Sequence, residues 1–212
     1  MRPERCHNFN APEQAGQTPS GCVWLYCKRL VERPALMSLI VERAATEALP
    51  ESTRAAILSL CKNAYGEDLT GYLKDIGPGI HLLGWDGPDL VSHLMWIERR
   101  LDPGNLPPLR AAYVELVATH PDHQRRGHAT ALMQQLAEAI DSYDLGALSP
   151  AETSLYERLG WERWQGPLLV KGPSGIETAP NEAVMILRLP LTPSALDLKA
   201  SLAVSWRPGE IW

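Results

Sequence analysis

The sequence predicts an α+β fold on a mostly antiparallel sheet. Three observations support this. Strand-like runs follow one another between residues 80 and 119, helical periodicity brackets them on both sides, and no segment repeats.

The elements follow in order. From Met37, SLIVERAAT reads as a strand. Residues 51–64, ESTRAAILSLCKNA, set Ala55, Leu58 and Cys61 about one turn apart among charges, as an amphipathic helix does. Pro50 and Glu51 suit its first turn, and Gly66 ends it. EDLTGYLKDIGPG is then a loop or short helix. HLLGWDG and LVSHLMWIERRL are strand-like runs parted by Asp86-Gly87-Pro88, a hairpin signal. After the Pro/Gly-rich DPGNLPPLR comes a third run, AAYVELVAT. Beyond His120-Pro121-Asp122 the period changes, and ATALMQQLAEAIDSY places Ala131, Leu132, Leu136 and Ile140 on one helical stripe. LGALS is a short buried strand, AETSLYERLG a short helix closed by Gly160, and GPLLVKG and EAVMILRLP are further strands.

Composition narrows the function classes. The 212 residues are 45% apolar and 21% charged, ordinary values for a globular chain. No apolar run approaches the roughly 20 residues that span a bilayer, and the opening MRPERCHNFNAPEQ lacks the apolar core of a secretory signal. The expectation is a cytoplasmic protein with no membrane partner. A net charge of −5 argues against nucleic acid as a partner and suits a cationic one. Residues 1–36, rich in Pro, Gly, Gln and Asn, read as a poorly ordered extension or as a stretch ahead of the true start; residues 37–212 form the domain. Cys6, Cys22, Cys27 and Cys61 lack a second Cys/His pair at zinc-like spacing and read as free thiols.

The chemistry concentrates in YVELVATHPDHQRRGHATALM, residues 113–133. An apolar strand enters a turn, and Gln124-Arg125-Arg126-Gly127-His128-Ala129 opens a helix. Gly127 and the small Ala129 let the backbone come close to a ligand. Successive N–H groups and the helix dipole make an anion site suited to a pyrophosphate, and Arg125 and Arg126 add charge. Neither a dinucleotide-binding G-x-G-x-x-G nor a Walker G-K-[ST] is present. His120, His123 and His128 straddle the turn instead of sharing a helix face, so no metal site is expected.

This strand and turn resemble the acetyl-CoA-binding motif of the GNAT acetyltransferases. The resemblance implies a mixed, mostly antiparallel sheet with a splayed central strand pair, flanked by helices. It further implies that backbone groups of Val117, Ala118 and Thr119 pair with the pantetheine arm, while Gln124 to Ala129 hold the pyrophosphate.

Four further stretches resemble the aminoglycoside 2′-N-acetyltransferases of that class: YVE at 113–115, LGALS at 145–149, LYERLGWERWQGP at 155–167 and SWRPGEIW at 205–212. The resemblance runs from about residue 55 to residue 212. It implies acetyl transfer from acetyl-CoA to an aminoglycoside amine, directly and without an acyl-enzyme. It casts Glu115 as the carboxylate that takes the amine proton through water, and Tyr156 as the phenol that protonates the departing thiolate. Asp68, Ser149, Glu182, Glu210 and the carboxylate of Trp212 become substrate contacts. Relatives often dimerise, and the apolar final strands offer an interface. The sequence departs from the pattern at Asn181-Glu182, where relatives carry a run of Asp, after Asp68, where they carry Phe, and at Ser205, where an acid is usual. These departures leave the preferred drug open, kasugamycin included.

Plainer readings stand beside these. Glu115 can be a solvent-facing charge, Tyr156 a packing aromatic and Asp68 a cap for the following turn. Trp161, Trp164 and Trp206 read as packing residues. Two alternative functions remain: acetylation of another small amine, and non-catalytic binding of an acyl-CoA.

Overall fold

The computed structural model describes residues 39–208 and 211–212; the expected extension over 1–36 and the candidate Glu210 lie outside them. Strand β1 (Ile40–Ala45) leads to helix α1 (Glu51–Tyr65), which Gly66 closes in the left-handed conformation at φ 79°. Helix α2 (Thr70–Ile76) follows. Strands β2 (Ile80–Asp86), β3 (Asp89–Pro103) and β4 (Leu109–Thr119) form the meander. A 3-10 turn at Pro121–His123 then leads into α3 (His128–Ala139). Strand β5 (Leu145–Leu148), helix α4 (Ser154–Arg158) and strands β6 (Glu162–Arg163), β7 (Leu168–Gly172), β8 (Gly175–Thr178), β9 (Met185–Arg188) and β10 (Leu202–Ser205) complete the order.

All ten strands join one sheet in the order β6-β9-β5-β4-β3-β10-β7-β8, with β2 on β3 and β1 on β2. The β4–β5 and β7–β10 pairs are parallel and the others antiparallel, so the sheet is mixed as the resemblance implies. Because strand residues alternate between faces, β4 serves two cores. Ala112 and Val114 pack with Leu132, Met133 and Leu136 of α3. Ala111 and Tyr113 join the core that holds Ile57, Leu60 and Cys61 of α1.

The α1 stripe differs in phase from the sequence reading, while α3 keeps its expected face. On α1 the buried residues are Ile57, Leu60 and Cys61, whereas Ala55 is exposed and Leu58 half-buried. On α3 Leu132 and Leu136 are buried, as is Ile140 just past its end, with Met133 added to them and Ala131 half-buried. On α1 bulk favours Ile57 over Ala55, since turning the larger side chain inward removes more apolar surface from water. Trp161 and Trp164 are buried as expected, but Trp206 is half exposed.

Of the final strands, β10 lies inside the sheet and β8 forms its exposed edge. β10 enters the sheet between β3 and β7, pairing Val204 with Leu101 and with Val170. Leu202, Ala203 and Val204 are buried within the chain. Just ahead of β10 the backbone turns tightly against residues 164–166. The Trp164 indole donates to the Ala200 carbonyl at 2.9 Å, and both the Gln165 and Gly166 amides donate to the Leu198 carbonyl.

At Gly166 a Cβ would lie 1.9 Å from the Ala200 carbonyl oxygen, so only glycine fits. Gly166→Ala is therefore expected to lower unfolding free energy by about 2–3 kcal/mol, read by urea denaturation. An unchanged midpoint would show that these two segments are not held together as described.

Candidate active site

The site begins with an irregularity in β4. Between Met95 and His93, β3 advances two residues while β4 advances three, from Glu115 to Ala118. The extra residue makes a β-bulge, and within it Leu116 sits at φ 53°. A bulky side chain in that left-handed region costs roughly 1–2 kcal/mol, so surrounding contacts must hold it.

The bulge coincides with a parting of strands. The last β4–β5 pair is Tyr113 with Ala147, and β5 ends at Leu148, while β4 runs on to Thr119. Beyond Tyr113 that edge of β4 has no strand partner among the described residues. The carbonyls of Leu116 and Ala118 turn toward β3, where the His93 ring meets the first at 3.2 Å and the Ser92 hydroxyl donates to the second at 3.0 Å. Successive carbonyls of an extended strand point to opposite edges, so those of Val117 and Thr119 turn to the open one. There Val117 accepts from the Tyr65 hydroxyl at 3.0 Å and Thr119 from the Gln124 amide at 3.4 Å. Such an edge fits an extended, amide-bearing ligand arm.

The turn after β4 supplies the opposite chemistry. Arg125 at φ 60° and Gly127 at φ 87° are both left-handed, and Gly127 is the N-cap of α3. The amides at the start of α3 have no intrahelical partner, which leaves His128 and Ala129 offering donors as an anion site requires. Arg126 reaches back to the Asp122 carbonyl at 2.8 Å, fixing the loop. The His120–His123 and His123–His128 ring centroids are 5.8 and 6.1 Å apart, and His123 faces Asp86 at 3.5 Å. Among the described residues no group of three or more His, Cys, Asp or Glu has a metal-binding arrangement. Burial, then the neighbouring His123, pulls the His128 imidazole below its ordinary range.

Glu115 stands on β4 just before the bulge and is buried. One carboxylate oxygen accepts from the Tyr72 hydroxyl of α2 at 2.7 Å; the other pairs with the Arg207 guanidinium at 2.6 Å. It is thus not a solvent-facing charge. Arg207 lies just past β10, and Arg99 of β3 anchors that same segment by donating to the carbonyls of Ser205 and Ile211. Both guanidiniums lie over the Tyr113 ring, at 4.8 Å for Arg99 and 6.0 Å for Arg207.

The other candidates are placed as follows. Tyr156, on α4 beyond the end of β5, packs edge-on to Trp161 at 6.1 Å, and burial pushes its phenol up to about 12. Ser149 donates to Glu182 at 3.5 Å, so these two come together. Glu182 also lines a cleft of about 280 Å³ with Trp164, Gln165 and Pro180. Asp68 is exposed and accepts from both the hydroxyl and the amide of Thr70, at 2.6 and 2.9 Å; those bonds hold its carboxyl below the usual range. This is the turn-capping arrangement named among the plainer readings. The Trp212 indole is buried in the core with Leu202 and Val204.

Sequence reasoning missed Arg207, Tyr72, Arg99 and Tyr65. One signal was available for Arg207. An arginine between apolar β10 and a terminal tryptophan has to enter or skirt the core, and a buried guanidinium requires a carboxylate partner.

Comparison with known proteins fits this geometry. Residues 48–164 match the acetyltransferase (GNAT) domain family. An aminoglycoside 2′-N-acetyltransferase from Mycolicibacterium fortuitum is 34% identical over 140 residues, covering 63% of this chain and 71% of the relative. In fold, the chain is similar to the GNAT family N-acetyltransferase YhbS from Escherichia coli, solved in complex with CoA. That match has a TM-score of 0.58 and 16% identity, covering 79% of this chain and 90% of the other. It also spans 34% of a longer GCN5-related N-acetyltransferase from Kribbella flavida, with a TM-score of 0.49, 18% identity and 61% of this chain covered.

The Glu115–Arg207 pair is shielded enough that removing one partner leaves a nearly buried charge. Arg207→Ala is expected to cost about 3 kcal/mol, and Glu115→Gln in the same chain to recover part of it. Denaturant melts of the four members of the cycle check this. Strictly additive losses would mean the pair contributes nothing.

Proposed function

We propose a function from one premise: the chain belongs to the GNAT acetyltransferase family and is an acyltransferase. Its acetyl donor is acetyl-CoA, and its acceptor is an amine of an aminoglycoside, at the 2′ position, in the cytoplasm. Acetylation of that amine removes a positive charge and so confers resistance to the drug. The observation that carries the reading is the open β4 edge lying between a buried carboxylate and an anion-binding turn. The similarity to an aminoglycoside 2′-N-acetyltransferase supports the acceptor.

The residues present fit an acyl-CoA. Backbone groups of Val117 and Thr119 take the amide-bearing arm, with the Tyr65 hydroxyl giving up the Val117 carbonyl to it. The amides from Gln124 to Ala129 and the side chains of Arg125 and Arg126 take the diphosphate. An acyl-CoA bound there would supply the thioester that the amine attacks.

A protonated amine cannot attack a thioester, so its proton must leave first. Glu115 accepts it through water and is held in orientation by Arg207 and Tyr72. Arg207 already pairs with this carboxylate, so a cationic acceptor brought beside it would compete with Arg207. The leaving thiolate takes its proton from Tyr156. A phenol with its pKa near 12 stays protonated through the neutral range, as a proton donor must. Cys61 takes no part, because it is fully buried in the α1 core and burial pushes its thiol up to about 12.

Ser149, Glu182 and Glu210 serve the acceptor, with Trp212 beside them as the resemblance implies. Glu182 lies nearest to an open cleft. Acetylation of a different small amine is favoured by one observation: Asp68 is tied to Thr70, which leaves it a weaker contact for a polycation than the resemblance implies.

A thiol-release assay with acetyl-CoA over an aminoglycoside panel, kasugamycin included, tests the reading. Release is expected with drugs bearing a 2′-amine and not with those lacking it; the reverse pattern points to another amine, and no release with any amine sinks catalysis. Glu115→Gln and Tyr156→Phe are each expected to lower kcat about a hundredfold. The Tyr156 loss is expected to be uniform from about pH 6 to about pH 9, because the phenol does not titrate there.

A further inference from the structure

Beneath the bulge lies a chain of hydrogen bonds that the proposed chemistry does not use. The His81 ring of β2 meets the Thr46 hydroxyl through Nε2 at 2.9 Å and His93 Nε2 through Nδ1 at 2.9 Å. His93 Nδ1 then faces the Leu116 carbonyl at 3.2 Å. Both rings are buried, and desolvation pulls His81 down to about 4 and His93 to about 3, so both are neutral at ordinary pH.

A neutral imidazole has one donor and one acceptor, so the chain can be ordered in only two ways. The Thr46 hydroxyl has one proton and two acceptors in reach, the Gly79 carbonyl at 3.0 Å and His81 Nε2. If the proton goes to Gly79, both rings must donate from Nε2, and the bare Nδ1 of His93 then faces the Leu116 carbonyl, lone pair against lone pair. If it goes to His81, each ring donates from Nδ1 and every contact is made. The Gly79 carbonyl loses little, since the Thr46 amide already donates to it at 2.9 Å. The Thr46 oxygen still accepts from the Gly79 amide at 2.8 Å.

We infer that Thr46, His81 and His93 form a directional lock that donates into the Leu116 carbonyl and holds the bulge that opens β4 to the acyl donor. His81 and His93 are thereby positioning residues that touch neither substrate. The lock explains how a leucine is kept at φ 53°: its carbonyl is drawn toward β3, which turns the next one, that of Val117, to the open edge. The role in donor binding rests on the acetyl-CoA reading; the proton order does not.

Two measurements test it. Nitrogen-resolved NMR of the imidazoles is expected to show both His81 and His93 as Nδ1–H tautomers, the minority form in water. Calorimetry with coenzyme A is expected to show about tenfold weaker binding for His93→Leu. His93→Asn keeps an N–H at the Nδ1 position and is expected to bind within about threefold of wild type. Nε2–H tautomers in the folded wild type overturn the lock by themselves, whether or not the variants fold. A folded His93→Leu that binds coenzyme A like wild type overturns the positioning role. Wild-type protein that takes up no coenzyme A overturns the acetyl-donor reading and the positioning role with it, while the tautomers still decide the lock.

Discussion

The extra residue in β4 is the constraint on which the rest of the site depends. A strand that kept regular register beyond Tyr113 would continue beside its neighbour, with no free edge and no room between them. The bulge between Glu115 and Ala118 changes which groups face which way. From Ala111 to Tyr113, β4 is an ordinary interior strand with partners on both sides; after the bulge, one edge is bonded to β3 and the other has no strand partner among the described residues. The carboxylate sits at the start of this change and the turn at residues 124–129 follows its end, so one local distortion sets the spacing of both. The strained Leu116 backbone persists because the buried histidines and the core around its side chain hold it.

The second determinant is electrostatic. Glu115 is buried, and a carboxylate in that setting needs compensation. Compensation comes from remote parts of the chain, Tyr72 on α2 and Arg207 after β10, and each places a requirement on the surrounding fold. Arg207 is in place because β10 is paired in the sheet and because Arg99 grips the backbone on either side of it. The Tyr113 ring, with both guanidiniums above it, lets two cations approach one another in the interior. Glu115 is consequently fixed in place by the fold itself.

Much of this was legible in the sequence wherever the signal is local. The strand–turn–helix of residues 113–133, the Asp86-Gly87-Pro88 hairpin and the Gly66 and Gly160 terminators are written in neighbouring residues, and the structure has them there. What escaped depends on distant partners. β6 is two residues long, the whole of β8 is exposed, and β10 is a short run whose pairing is decided by Leu101 and Val170. The stripe Ala55, Leu58 and Cys61 meets the buried face only at Cys61, because the bulkier Ile57 and Leu60 compete for it. In the same way Glu115 was visible as a strand carboxylate, while its partners were not, because nothing local ties residue 115 to residues 72 and 207.

The insertion of β10 between β3 and β7 bears on how the molecule comes to exist. Val204 finds Leu101 only after a loop of about 100 residues has closed. Pairings of such sequence separation are slow and come late. Because Arg207 follows directly on that strand, the charge balance of Glu115 is also completed late. Partly assembled chains would hold an uncompensated carboxylate and an open sheet edge, species prone to aggregate. These last pairings are therefore the step at which folding competes with association.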